Sequence, residues 1–159
     1  MSRSDLARKV CGVSRTIEIV GDAWTLMILR DMFLGARRFD DLQRQTGCSP
    51  HLLSQRLKRL EAEKIVKRRA YSERPLRHEY RLTERGRDLW PVVVALKSWG
   101  DRWLTRPGGA PIELTHRGCG RVTQPRMCCS ECGDPMDARA SVPSLSPAMA
   151  RERDAAGHK

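Results

Sequence analysis

Long apolar runs are missing from this 159-residue sequence. The longest ones fall far short of the ~20 residues that a membrane-spanning helix needs. The N-terminal stretch MSRSDLARKV also lacks the apolar segment of a secretory signal peptide. The six cysteines are therefore expected to be thiols in a reducing compartment, where they serve as metal ligands or reactive groups. We predict a cytoplasmic protein with no membrane partner.

Patterns typical of an enzyme active site are scarce as well. The four histidines are scattered along the chain, and no glycine-rich loop is suited to holding a phosphate. No nucleophilic side chain has a base at a recognisable motif spacing. We therefore expect a protein that is not an enzyme, and turnover of a metabolite by the pure protein would revive that class.

Acidic residues are outnumbered by basic ones. The chain has 30 Lys and Arg against 19 Asp and Glu, a net charge of +11 and a pI of about 10.0. Residues 112–159 hold seven basic and six acidic residues, so nearly all of the excess lies in residues 1–111. A basic surplus of this kind is typical of nucleic-acid binding. A basic face that is merely solvated is the alternative.

The stretch from Arg38 to Leu82 predicts a helix, a turn, a second helix and a two-stranded wing. The second helix begins at Ser49 and Pro50, because serine caps the first free amides and proline fits the first helical position. Strands are predicted over residues 66–71 and 78–82, with a basic turn over residues 72–77.

The second helix of this motif has two chemically different faces. One face is apolar and carries the leucines that recur at helical spacing, Leu53, Leu57 and Leu60. The opposite face carries donor-rich side chains that suit base edges in a major groove, His51, Ser54, Gln55 and Lys58. Arginines on its flanks and in the wing turn are placed to contact phosphates. The predicted DNA-binding residues are Ser49, His51, Ser54, Gln55, Arg56, Lys58, Arg59, Arg74 and Arg77.

Three further helices are expected around this motif. A short amphipathic helix ends at Gly21, and a largely apolar helix capped by Asp22 runs over residues 23–33 and should be central to the core. A long helix over residues 84–104 should bend at Pro91. The apolar surface of this helix is larger than one small domain can cover, which predicts a homodimer. The alternative is that the last Trp residues pack back on the core of the same chain. The predicted interface is Leu89, Val92, Leu96, Trp99 and Trp103.

Residues 105–111 read as a linker, and a second informative stretch follows over residues 112–139. A histidine and three cysteines form two knuckles, each with two ligands spaced three positions apart and followed by a glycine. This set suits a tetrahedral, structural Zn²⁺ site with no open position for catalysis, and four unrelated side chains are the alternative. The predicted metal ligands are His116, Cys119, Cys129 and Cys132. Residues 140–159 are predicted to be disordered.

Several motifs together resemble one known family. Cys11, GDAWTLMILRDMFLGARRFDDL, SPHLLSQRLKRLE, RPLRHEYRLTERG and the final KSWG look like HxlR-type winged-helix regulators, relatives of the MarR group, in the right order over residues 11–104. The knuckles resemble the zinc-ribbon extension of some of these proteins. The resemblance implies a bacterial transcription factor that is dimeric and binds DNA through residues 1–104. It also implies that the first cysteine, here Cys11, is a candidate sensor of electrophiles or oxidants.

The expected fold is therefore mainly α with a small β-wing, a winged helix-turn-helix domain followed by a small zinc ribbon. The expected function is a sequence-specific DNA-binding regulator that acts as a homodimer on a palindromic operator, because two recognition helices related by a two-fold axis enter successive major grooves. An interaction module that uses the winged helix for protein contacts is the alternative. Salt-insensitive affinity for a protein, and none for DNA, would favour it.

Overall fold

The computed structural model describes residues 3–74, 76–104 and 107–157. The chain divides into two compact units, Met1–Val93 and Val94–Lys159. Unit 1 contains α1 (Arg3–Ala7), α2 (Gly12–Val20), α3 (Ala23–Phe33), α4 (Phe39–Thr46), α5 (Pro50–Ala62), β1 (Val66–Glu73), β2 (Leu76–Leu82), α6 (Glu84–Arg87) and the start of α7 (Trp90–Trp103). Unit 2 contains the rest of α7, β3 (Leu114–Thr115), β4 (Val122–Thr123) and α8 (Pro147–Gly157). No helix in the described part of the chain has the length and apolarity to cross a membrane.

The α3 helix lies at the centre of unit 1, as its composition predicts. Asp22 caps its first turn, where its carboxylate accepts hydrogen bonds from the backbone amide of Thr25 at 3.0 Å and from the Thr25 hydroxyl at 2.6 Å. The α3 side chains join leucines of α4 and α5 and the first residue of the wing in one core. The buried apolar residues of this core are Val20, Ile28, Leu29, Met32, Ala36, Leu42, Cys48, Leu53, Leu57, Leu60, Ile65 and Val66.

The wing is longer than the sequence predicts. β1 and β2 pair antiparallel from Val66↔Leu82 to Glu73↔Leu76, with an irregularity between Ala70 and Ser72. The predicted bounds of the turn are therefore wrong, since most of that segment belongs to the ladder. Polar and charged residues do not prevent strand pairing when backbone hydrogen bonds continue along the register.

The predicted long helix is divided into α6 and α7. Pro91 is the second residue of α7, where a missing amide costs no helical hydrogen bond, so it lies at a helix start and does not bend a helix interior. Thr83 caps α6, because its hydroxyl accepts from the backbone amide of Gly86 at 3.1 Å. It also donates to the Lys64 carbonyl at 2.6 Å, which joins α6 to the end of α5.

The tail also differs from the prediction of disorder. α8 occupies most of the segment 140–159, and its first turn is capped by the Ser146 hydroxyl, which accepts from the Met149 amide at 3.3 Å. Pro147 follows this cap, and the alanines of the helix have high helical propensity. The boundary between the two units also lies within α7, before the predicted end of the first domain at residue 104.

Candidate nucleic-acid interface

The turn between α4 and α5 is built by local contacts. Gly47 adopts a left-handed backbone with φ of 71°, which favours glycine and ends α4. The Thr46 hydroxyl donates to the Leu42 carbonyl at 2.7 Å and accepts from the Cys48 amide at 3.3 Å. Cys48 is buried in the core, and Ser49 caps α5 by accepting from the Leu52 amide at 3.3 Å. The turn therefore fixes the direction in which α5 leaves α4.

The α5 helix presents the two faces that its sequence predicts. Its three evenly spaced leucines are buried in the core. On the opposite side, His51, Gln55 and Lys58 are exposed at spacings of one helical turn, and Ser54 is half-buried beside them. Gln55 Nε2 lies 2.9 Å from His51 Nε2, so these two side chains are joined. We call His51, Gln55 and Lys58 the recognition stripe.

Two predicted phosphate contacts are instead directed at the protein. Arg56 Nε lies 3.0 Å from Asp22 Oδ1, and only 23% of the Arg56 side chain is exposed. Arg59, with 28% of its side chain exposed, pairs with the Glu18 carboxylate and donates to the Glu18 carbonyl at 2.6 Å. Both arginines therefore connect α5 to α2 and to the cap of α3. Their prediction as DNA-contacting residues did not include these acidic partners, which lie at distant positions in the sequence, and a phosphate contact would now require each arginine to leave its partner.

The wing supplies exposed cations, as predicted. Arg74 lies in the turn and Arg77 on the first part of β2, and both are exposed. The Arg38 guanidinium lies 4.7 Å from the centre of the Tyr71 ring. Arg81 Nε lies 2.6 Å from Glu79 Oε1, so the charge of Arg81 is balanced by Glu79 of the same strand.

Some basic residues of the wing were missed from the sequence. Lys67 and Arg69 on β1 are exposed. The sequence signal for these residues is the run of three basic residues over 67–69, which lies on the first wing strand and belongs to no recognised motif. Arg68, in the same run, is held by Glu61 at 3.1 Å.

The predicted dimer residues do not all have the same environment. Leu89 is half-buried and packs against the core of unit 1, which leaves less of its side chain for a partner than the sequence predicts. Four others on α7 form an exposed apolar stripe, with 39% to 63% of each residue exposed: Val92, Leu96, Trp99 and Trp103. We call these four residues the α7 stripe.

Cys11 lies between α1 and α2 and is half-buried. It occupies the N-cap position of α2, where its carbonyl accepts from the Arg15 amide at 3.2 Å, while its thiol makes no capping hydrogen bond. Arg15 is exposed one turn further along α2.

Unit 2 contains two backbone turns of the same design. The Gly120 amide donates to the His116 carbonyl at 2.8 Å, and the Gly133 amide donates to the Cys129 carbonyl at 3.0 Å. Both glycines have left-handed backbones, with φ of 68° and 79°. Each predicted knuckle is therefore a closed turn that begins at its first predicted ligand.

The cysteines of the second turn differ in environment. Hydrogen bonds from the backbone amides of Cys132 and Glu131, and then from the Cys132 side chain, lower the pKa of the Cys129 thiol. Cys128 is instead near the Arg126 carbonyl, with Sγ 4.0 Å from the carbonyl oxygen. Within residues 3–74, 76–104 and 107–157, no three His, Cys, Asp or Glu side chains are grouped so that they could hold a metal ion. The predicted zinc site is thus not confirmed by side-chain positions.

Comparison with known proteins decides the family. The sequence pattern described as HxlR-like helix-turn-helix matches residues 19–107. The chain belongs to the HxlR family. A HTH-type transcriptional regulator of Mycobacterium tuberculosis is 46% identical over 149 residues, which cover 92% of this chain and 94% of that protein. The chain is therefore a DNA-binding transcriptional regulator of the HxlR type and not an enzyme.

Two solved structures extend this comparison. A candidate transcription factor designated PA1607 is 29% identical, with a TM-score of 0.77, and the match covers 89% of this chain and 99% of that one. The redox regulator HypR in its oxidized form is 35% identical, with a TM-score of 0.55, over 60% of this chain and 98% of its own. The mainly helical winged helix-turn-helix fold with small sheets is thus confirmed.

Proposed function

We propose that this HxlR-type regulator acts in the cytoplasm as a homodimer on an imperfectly palindromic operator. The observation that carries this proposal is the exposed recognition stripe on a helix whose opposite face is fixed in the core. Two such helices, related by a two-fold axis, would enter major grooves whose half-site centres lie about 10 base pairs, or a small multiple, apart. The wing arginines Arg74 and Arg77 would contact the adjacent phosphates.

The exposed α7 stripe supports the dimer. Burying apolar surface contributes about 25 cal/mol per Å², and a symmetric contact would cover the same stripe on both copies. Exposed tryptophans are typical of the anchors that dominate such interfaces. With Lys58, Arg74 and Arg77 from both subunits near phosphates, about six phosphates would be neutralised, and log K should fall with log[salt] with a slope of about −5.

The test combines selection of bound duplexes at one fixed salt concentration with measurement of the mass of the protein in solution. We expect paired half-sites and a dimer. Leu96→Asp should produce a monomer with weaker operator binding, because a carboxylate would be buried in the seam. Ser98→Asp, on the same helix but off the α7 stripe, is the matched control and should remain dimeric. Asymmetric, non-repeated sites, or a wild-type monomer, would contradict the proposal.

We also propose that Cys11 makes the regulator responsive to an oxidant or electrophile. The reactive thiolate is favoured by basic residues close to Cys11 in the sequence, Arg8, Lys9 and Arg15, and by the N-terminus of α2. The similarity to HypR, a redox regulator, supports the same proposal. An inert, half-buried thiol is the alternative.

Operator binding measured against increasing oxidant or quinone tests the role of Cys11. The wild-type protein should release DNA, whereas Cys11→Ser should stay bound at the same dose. Metal content should be followed in parallel, because thiols of unit 2 can also react. Equal sensitivity of the two proteins would show that Cys11 is not the sensor.

We further propose that one structural Zn²⁺ binds His116, Cys119, Cys129 and Cys132. Support comes from the two matching backbone turns, each closed by the amide of the glycine that follows its second proposed ligand, and from a donor set of three thiols and one imidazole that zinc prefers. When bound, the ion would cross-link the two turns. The described side chains do not yet form this cluster, so its closure would accompany metal binding.

A further inference from the structure

The recognition stripe contains one side-chain pair whose hydrogen bonding limits what it can read. His51 and Gln55 are one turn apart and both exposed, with their Nε2 atoms 2.9 Å apart. The helix below them is held by the Ser49 cap and by buried Leu53 and Leu57, so the backbone positions of the pair are fixed.

The chemistry of this contact determines the orientation of the carboxamide. Because the Gln55 nitrogen can only donate, this contact is a hydrogen bond in the neutral His51 tautomer whose proton is on Nδ1, so that Nε2 accepts. One of the two N–H groups of Gln55 is used in this contact. When the N–H group that points away from the carbonyl oxygen makes this contact, the other N–H group and the carbonyl oxygen lie side by side for another partner.

One donor beside one acceptor matches a single base edge in the major groove. Adenine presents N7 as an acceptor next to the N6 amino group as a donor. Guanine presents two acceptors, N7 and O6, so the carboxamide oxygen would face another oxygen. Thymine and cytosine each offer one polar group in this groove, which leaves part of the carboxamide without a partner.

We infer that Gln55 reads an adenine in each half-site and that His51 is a positioning residue that holds the carboxamide in the adenine-reading orientation. This inference rests on the proposed operator binding through α5. The bidentate contact should favour adenine over other bases by about 5- to 150-fold. Without His51 the Gln55 side chain would have to be ordered on binding, which should weaken binding by about 2- to 12-fold.

The experiment measures affinities of the full-length protein for its selected operator and for versions with each of the four bases at the position that responds to Gln55. Wild type should prefer adenine, and Gln55→Ala should bind all four versions alike. Gln55→Glu should shift the preference to cytosine, because a carboxylate accepts from the cytosine N4 amino group.

The role of His51 has its own pair of variants. His51→Ala should weaken binding to the adenine operator, and His51→Gln should restore it, because the new carbonyl oxygen accepts from Gln55. Affinity for an unrelated duplex should be the same in both variants as in wild type. Arg74→Ala, in the wing turn, is the contrasting control, which should weaken binding to every duplex.

Two outcomes overturn the inference: a base preference that is unchanged in Gln55→Ala, or a wild-type preference for guanine at that position. Equal binding by His51→Ala and His51→Gln would remove the positioning role. These results are distinct from failure of the proposed function. A monomeric complex on an asymmetric site would contradict the dimer, while the base preference within a single half-site would still be measurable.

Discussion

Two neighbouring basic residues of α5 show that a side chain's role depends on what surrounds it. Lys58 and Arg59 differ by about 100° around the helix. Lys58 is exposed on the recognition stripe, whereas Arg59 is joined to Glu18 of α2. Both residues raise the positive charge of the helix, but only Lys58 is positioned to contribute it to a nucleic acid.

This difference gives a prediction at the residue scale. Arg59→Ala should lower the free energy of unfolding by about 1–3 kcal/mol. The hydrogen bonds of a charged group are lost, and the negative charge of Glu18 loses its positive partner. The substitution should leave the salt dependence of DNA binding unchanged. Lys58→Ala should change stability by less than about 0.5 kcal/mol and reduce the salt slope by about two in a dimer.

Urea denaturation and DNA titrations at several salt concentrations measure the two effects. Each variant serves as the control for the other, since they are adjacent in sequence and remove one positive charge each. A reduced salt slope in Arg59→Ala would show that Arg59 leaves Glu18 and contacts a phosphate in the complex.

At the scale of elements, the contact between α6 and the start of the wing leaves no space for a side chain at Gly86. Gly86 is buried, and a Cβ added there would lie 2.1 Å from the backbone oxygen of Ile65. The same oxygen accepts from the Thr83 amide at 3.0 Å. The short helix is thereby held against the chain that leaves α5, which also places β2 beside β1.

Gly86→Ala should therefore destabilise unit 1 by about 1–3 kcal/mol, because the backbone of one element must move away from the other. Gly12→Ala is the control in the same unit. Nothing lies within 4 Å of a Cβ at Gly12, and restricting the unfolded chain should stabilise the protein by about 0.4–1 kcal/mol. Thermal or urea unfolding of unit 1 measures both changes, and equal stability of the two variants would mean that α6 is not held in this way.

At the scale of the whole molecule, two units with different sources of stability share one chain. Unit 1 has a core of buried aliphatic side chains, whereas most residues of 107–139 are exposed. A segment with so little apolar burial needs another source of folding free energy, and a metal cross-link is one such source.

Removal of a single proposed ligand tests this dependence. Cys132→Ser should release zinc and unfold residues 112–138, while Cys128→Ser, one position before the proposed ligand Cys129, should keep the metal. Elemental analysis of reduced protein and limited proteolysis of the C-terminal region measure the two effects. DNA binding should largely survive in both variants, because α5 and the wing belong to unit 1. Protein that contains no metal after careful reduction would contradict the zinc proposal.

Local signals made much of the fold predictable. The caps at Asp22, Ser49 and Thr83 bond to amides three residues away, and Gly47 ends α4 through its own backbone conformation. The helical leucine spacing of α5 predicts its buried face directly. The helix α8 has a local signal too, the Ser146 cap before Pro147, although the polar and charged composition of the tail is typical of disorder.

Long-range contacts made the rest unpredictable from sequence alone. The partner of Arg59 is 41 residues away, so periodicity could place the arginine on a flank of α5 but not pair it with Glu18. Leu89 and Trp99 belong to one predicted stripe, yet only Leu89 packs on the core. The sequence by itself determined the helix-turn-helix, the wing and the recognition stripe, because these depend on neighbours within a few residues. Only the tertiary structure decided which cations remain exposed and which apolar residues remain uncovered, because burial depends on elements that the fold brings together.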